Sequence, residues 1–111
     1  MPDTPSVAEL ATTMVQAARG SLGKDWGKAR GFAEPELSKL ATSLQDIVRM
    51  AATGEISELE ARSLLEIHKN TTRTVLLTVK GLGLLAVENA INAALDAVKG
   101  AVNGAIGMAL I

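Results

Sequence analysis

The C-terminal stretch from Val87 to Val102 constrains the fold most, because its polarity repeats with the period of an α-helix. One narrow stripe of this helix is polar: Glu88, Asn89, Asn92, Asp96, Lys99 and Asn103. A ridge carries larger apolar side chains: Val87, Ile91, Leu95, Val98 and Val102. A third, small-residue face holds only alanine and glycine: Ala86, Ala90, Ala93, Ala94, Ala97, Gly100, Ala101 and Gly104. Because two of its three faces are apolar, such a helix needs partners on both.

The composition favours a single helical domain. The chain has 111 residues, enough for one domain with a sizeable core. Apolar residues make up 48% of it, yet Trp26 and Phe32 are the only aromatic ones, so the core must consist of smaller aliphatic side chains. Alanine and leucine favour helix over strand. We therefore predict one all-α domain over residues 1–111, a bundle of about four helices without a sheet.

Charge and cysteine content exclude several classes of protein. The net charge is −1, so no global field recruits nucleic acid or anionic lipid. Cysteine is absent, which excludes disulfides and thiolate metal sites. The N-terminus lacks a basic stretch followed by an apolar run, so we expect no signal peptide and a cytoplasmic location.

The C-terminal segment is long enough to cross a membrane, but it carries interrupting charges. A span needs ~20 apolar residues, whereas Glu88, Asp96 and Lys99 leave only 100–111 as an uninterrupted run. Insertion of a lone helix is therefore disfavoured. Lying on a membrane, or lining a pore within an oligomer, stays open.

Periodic apolar residues predict four helices, near 7–19, 35–52, 58–80 and 84–108. Capping boxes, Ser6 with Glu9 and Ser57 with Glu60, indicate where the first and third begin. Four glycines predict a loop over 20–34, followed by Pro35 at a first helical position. Glycines at 81 and 83 predict a bend or break; the alternative is one long kinked helix from residue 58 onwards.

No residue set predicts catalysis, a metal site or a cofactor site. His68 is the only histidine and falls on the apolar side of the third helix, where we expect a buried or boundary ring with a hydrogen bond. It lacks the cysteine or acidic partners that a metal site needs. Gly81-x-Gly83 does not follow a strand and so does not indicate nucleotide binding. We expect a protein that is not an enzyme and needs no cofactor.

Cations alternate with both aromatic residues between Lys24 and Phe32. We expect Trp26 to be largely buried and, with Phe32, to fold back over a core of small side chains. The functional alternative makes both of them anchors for a membrane or a protein partner, and nucleic acid is less favoured.

The C-terminal helix supplies the functional hypothesis. The chain ends in an apolar run, and exposed apolar patches usually mark interaction sites. We predict a non-enzymatic assembly protein that self-associates or docks to a partner through small residues and a terminal cluster: Ala93, Ala97, Gly100, Ala101, Gly104, Ile106, Met108, Leu110 and Ile111. The alternative is a peripheral, lipid-surface-active or pore-forming helical protein.

Overall fold

The computed structural model describes residues 5–111, most of which are helical. Its helices are α1 (Val7–Leu22), α2 (Trp26–Ala52), α3 (Glu58–Leu76) and α4 (Leu84–Ile106), and a 3-10 turn at Gly23–Asp25 joins the first two. Within this described part no strand is present, so the predicted all-α class is confirmed. The helices form a compact, elongated body of 42 × 22 × 18 Å.

Side-chain caps begin two of the helices where the sequence predicts them. At α3, the Ser57 hydroxyl accepts from the backbone N–H of Glu60 at 3.1 Å, and the Glu60 carboxylate accepts from the backbone N–H of Ser57 at 2.9 Å. The hydrogen bond from the Ser57 backbone N–H also lowers the pKa of Glu60, because it favours the ionised carboxylate. At α1, Ser6 accepts from the backbone N–H of Glu9 at 3.1 Å, which is one half of the predicted box.

The predicted loop over 20–34 is wrong. α1 continues through this region to Leu22, and α2 begins at Trp26. Only the 3-10 turn interrupts the helices, where Gly23 takes a φ of +56° that other residues rarely adopt. The physical reason is burial, because Ala29 and Ala33 are fully buried and extend the apolar stripe of α2 by two turns. That tertiary packing outweighs the local cost of the glycines.

Pro35 lies in the interior of α2 rather than at its first turn. A proline there deprives the carbonyl four residues earlier of its hydrogen bond. That carbonyl belongs to Gly31, and both residues are exposed, so water can bind the oxygen that loses its partner.

The break near Gly81 and Gly83 is confirmed, and the single kinked helix is excluded. α3 ends at Leu76, four residues earlier than predicted, and α4 begins after Gly83. The connection turns back at Gly81, which has a φ of +85°, while Val79 and Leu82 pack into the core.

Neighbouring helices run antiparallel. The Gln45 side chain, late in α2, donates to the carbonyl of Pro5, just before α1, at 3.1 Å. An ion pair between Arg73 and Glu88 joins the end of α3 to the start of α4. The most extensive contact is between α1 and α4, whereas α1 and α3 do not approach each other in the described chain. α4 therefore packs mainly against α1, and α3 packs mainly against α2.

Candidate functional site

The apolar ridge of α4 is covered by the rest of the chain. Each of its five side chains is at most 3% exposed: Val87, Ile91, Leu95, Val98 and Val102. Two members of the small-residue face, Ala90 and Ala94, are buried beside them. One of the two predicted apolar faces of α4, and part of the other, are thus satisfied within the monomer.

The remaining small residues stay open to solvent. Ala97, Gly100, Ala101 and Gly104 are exposed, and Ala93 is half-buried. A Cβ placed on Gly100 or Gly104 would meet no neighbouring atom within 4 Å. We call this surface the open face: Ala93, Ala97, Gly100, Ala101 and Gly104. It is uncharged, and no other helix of the described chain packs closely on its two glycines.

The terminal cluster folds back instead of extending the open face. Leu110 is only 7% exposed, and three neighbours are half-buried against the core: Ile106, Met108 and Ile111. Of the terminal cluster predicted as an interaction site, Leu110 is therefore buried, while Ile106, Met108 and Ile111 keep part of their surface exposed.

Hydrogen bonds that the apolar pattern does not predict fix the terminal segment against the helices. Gly107, with a φ of +73°, ends α4 and reverses the chain. The Asn103 side chain accepts from the backbone N–H groups of Leu110 and Ile111 at 2.9 and 3.0 Å and donates to the Ile111 carbonyl at 3.3 Å. An Arg62 guanidinium nitrogen donates to the carbonyl of Ala109 at 3.2 Å. The sequence placed Asn103 in the polar stripe but gave no sign of this role.

The two aromatic residues differ from the sequence-based expectation. Trp26 is half-buried and packs against the core, so the prediction of a largely buried indole is only partly met. Phe32 is 46% exposed, and its predicted role as a plug over the core is wrong. The reason is that this segment is helical, so the buried positions of its core-facing stripe are filled by Ala29 and Ala33, while Phe32 falls on the flank.

A shallow cavity of about 220 Å³ lies between α2 and α3. In it, Ser43 Oγ and His68 Nδ1 are 3.2 Å apart, which confirms the predicted hydrogen-bonded boundary histidine. The Ser43 hydroxyl also lies 3.1 Å from the Lys39 carbonyl in its own helix, as helical serines often do. Ser43 sits in the middle of α2, where the backbone N–H groups are engaged by the helix and cannot form an oxyanion site. We interpret this pair as a polar link between helices.

An ion pair between Arg73 and Glu88 joins α3 to α4. The Arg73 guanidinium binds the Glu88 carboxylate and the side-chain oxygen of Asn70. The hydrogen bond from Arg73 lowers the pKa of Glu88, and the same contact raises the pKa of Arg73. Both groups are thereby held in their charged forms at the point where the α3–α4 connection closes.

Within residues 5–111, no group of three or more acidic or histidine side chains is placed to hold a metal ion. None of the helices described has both the length and the apolar character to cross a membrane. Comparisons with models of protein families, with curated proteins and with solved structures find no match for this chain.

Proposed function

We propose that this chain is a non-enzymatic assembly module in which the open face of α4 binds the same face of a second copy. The observation that carries the proposal is the space beside Gly100 and Gly104, where a Cβ would meet nothing within 4 Å. Glycine in a helix interior costs about 1 kcal/mol relative to alanine. The chain gains no close helix packing within the monomer in return for that cost.

A second copy suits the open face because the face is neutral and smooth. Two identical uncharged faces can pair about a two-fold axis without opposing like charges. Small residues at every fourth position, such as Ala97 and Ala101, let two helix backbones approach closely. We favour self-association over membrane insertion of α4, because the ridge and the terminal Leu110 that would enter lipid are buried.

The expected association is weak. The open face runs from Ala93 to Gly104, which is ~16 Å at 1.5 Å per residue. A stable interface typically buries about 800 Å² per partner. The three turns of α4 that form the open face offer a smaller area than that. The equilibrium between monomer and dimer should therefore depend visibly on protein concentration.

The test is the mass in solution, measured by light scattering and sedimentation equilibrium over a range of concentrations. The wild-type mass should rise from 11.5 kDa towards twice that value. A double variant, Ala97→Leu with Ala101→Leu, should remain monomeric because the larger side chains prevent close approach. Both positions are exposed, so the fold should survive.

A matched control keeps the experiment interpretable. Ser38→Leu with Thr42→Leu places two leucines at the same spacing on an exposed face of α2 and should associate like the wild type. A wild type that is monomeric at every concentration contradicts the proposal, as does a double-leucine α4 variant that dimerises normally.

A further inference from the structure

One end of the bundle collects features that lie far apart in the sequence. The end of α1, the 3-10 turn, the start of α2 and the α3–α4 connection meet there. The Lys28 ammonium donates to the Gly81 carbonyl at 3.3 Å and joins the two segments. We call this end the basic tip and define it as residues 19–34 and 77–85.

The basic tip holds most of the exposed large apolar side chains. Of six such residues in the described chain, four lie there: Phe32, Leu77, Leu84 and Leu85. Leu84 and Leu85, in the first turn of α4, are 58% and 73% exposed. The half-buried indole of Trp26 lies at the same end, at the start of α2. Such a group of exposed apolar residues usually marks an interaction site.

The same end is positively charged although the whole chain is not. The basic tip contains five cations, Arg19, Lys24, Lys28, Arg30 and Lys80, and two carboxylates, Asp25 and Glu34, so its net charge is +3. The whole chain carries −1, which leaves −4 for everything else. Lys28 pairs with Asp25 at 3.1 Å and Arg30 with Glu34 at 2.6 Å. Among the described residues, Arg19, Lys24 and Lys80 have no such ion pair.

We propose that the basic tip binds the surface of an anionic lipid bilayer. Leu84 and Leu85 would enter the headgroup region, and Lys24 and Lys80 would contact lipid phosphates or carboxylates. Apolar side chains surrounded by cations match the two attractions of such a surface, which are burial of apolar area and neutralisation of charge. The proposal concerns a surface separate from the open face of α4 and does not depend on self-association.

The shape of the basic tip favours lipid over a folded partner. Its exposed leucines lie directly after α3 and in the first turn of α4, and a fluid bilayer does not require a matching shape. Single-stranded nucleic acid is bound by stacking on several aromatic side chains along a basic channel. Here one aromatic residue is half-buried and the other lies two turns away on the same helix. Lipid is therefore the occupant that the side chains fit best.

The experiment is flotation of the full chain with vesicles of phosphatidylcholine containing 30% phosphatidylserine, against vesicles of phosphatidylcholine alone. Binding should occur only to the anionic vesicles and should weaken as salt is added. The emission of Trp26 should shift to shorter wavelength on binding. Lys24→Glu with Lys80→Glu should weaken binding by about 25-fold or more, at roughly fivefold for each cation lost. Leu84→Ser with Leu85→Ser should weaken it by at least about tenfold.

Controls change equally exposed residues elsewhere. Leu59→Ser with Ile67→Ser removes exposed apolar side chains from α3, and Lys99→Glu reverses an exposed charge on α4; both variants should bind like the wild type. The proposal is overturned if anionic vesicles are not bound, if neutral vesicles are bound equally well, or if these controls lose as much binding as the tip variants. Binding of polyuridylate or polyglutamate in place of vesicles would likewise overturn it. The tip variants should keep the wild-type mass in solution, which separates this result from failure of self-association.

Discussion

Replacing Gly100 by alanine should change stability and association in opposite directions. Gly100 lies in the interior of α4 with an ordinary helical φ, and a Cβ there would meet no atom within 4 Å. Alanine should therefore stabilise the monomer by about 1 kcal/mol through helix propensity alone. For a domain of this size, that corresponds to a rise in Tm of about 3–7 °C. In a dimer paired through the open face, the same methyl group would lie between the two helices and weaken the contact.

Thermal unfolding followed by circular dichroism at low protein concentration measures the first effect, and light scattering at high concentration measures the second. Gly31→Ala is the matched control, because Gly31 is also an exposed interior helix position with nothing within 4 Å. It should raise the Tm similarly and leave the mass unchanged. A loss of stability in dilute Gly100→Ala would refute the reasoning, since it would mean that the monomer itself covers the open face. A higher Tm with unchanged association would show that Gly100 does not lie in a close contact.

Three further predictions concern stability. Asn103→Ala should destabilise the fold by about 1–3 kcal/mol in urea unfolding, because it removes three hydrogen bonds to the terminal segment; an unchanged midpoint would contradict their role. Ser57→Ala should cost about 0.5–2 kcal/mol by loss of the α3 cap, and Ser63→Ala, at an exposed position in the same helix, should cost much less. Glu88 has a lowered pKa in the folded state, so its stabilising effect is present above the ordinary carboxylate pKa and is lost as the pH falls through the lowered value. Glu88→Gln should therefore be less stable than the wild type near neutral pH and converge with it in acid; parallel pH profiles would refute the effect of the ion pair.

The sequence was most informative where local and tertiary signals agree. The Ser57 capping box and the apolar stripe that follows it locate the start of α3, and two glycines locate the break before α4. In the segment 20–34 these signals conflict, because glycines disfavour helix while Ala29 and Ala33 fit a buried stripe. Burial decided the outcome there, and its contribution depends on neighbouring helices that the sequence does not identify.

The candidate surfaces were less predictable than the helices. Periodicity identified the small residues of α4, but it could not show that Ala90 and Ala94 are covered while Gly100 and Gly104 are open. That difference depends on how the other helices pack against α4. The sequence likewise did not predict the basic tip, because a net charge of −1 does not show which segments of the chain lie at the same end of the bundle. Only the antiparallel order brings the two basic segments together.

The contact between α1 and α4 has a consequence during synthesis. It is the most extensive contact in the molecule, yet about 60 residues of chain separate its two helices. α1 leaves the ribosome with a buried side that includes Leu10, Met14 and Ala18, and α2 can cover only part of it. At typical translation rates the rest stays uncovered for about 3–12 s until α4 emerges. The nascent chain should therefore be a substrate for holding chaperones until α4 has been made, and ribosome-bound fragments lacking α4 should stay sensitive to protease.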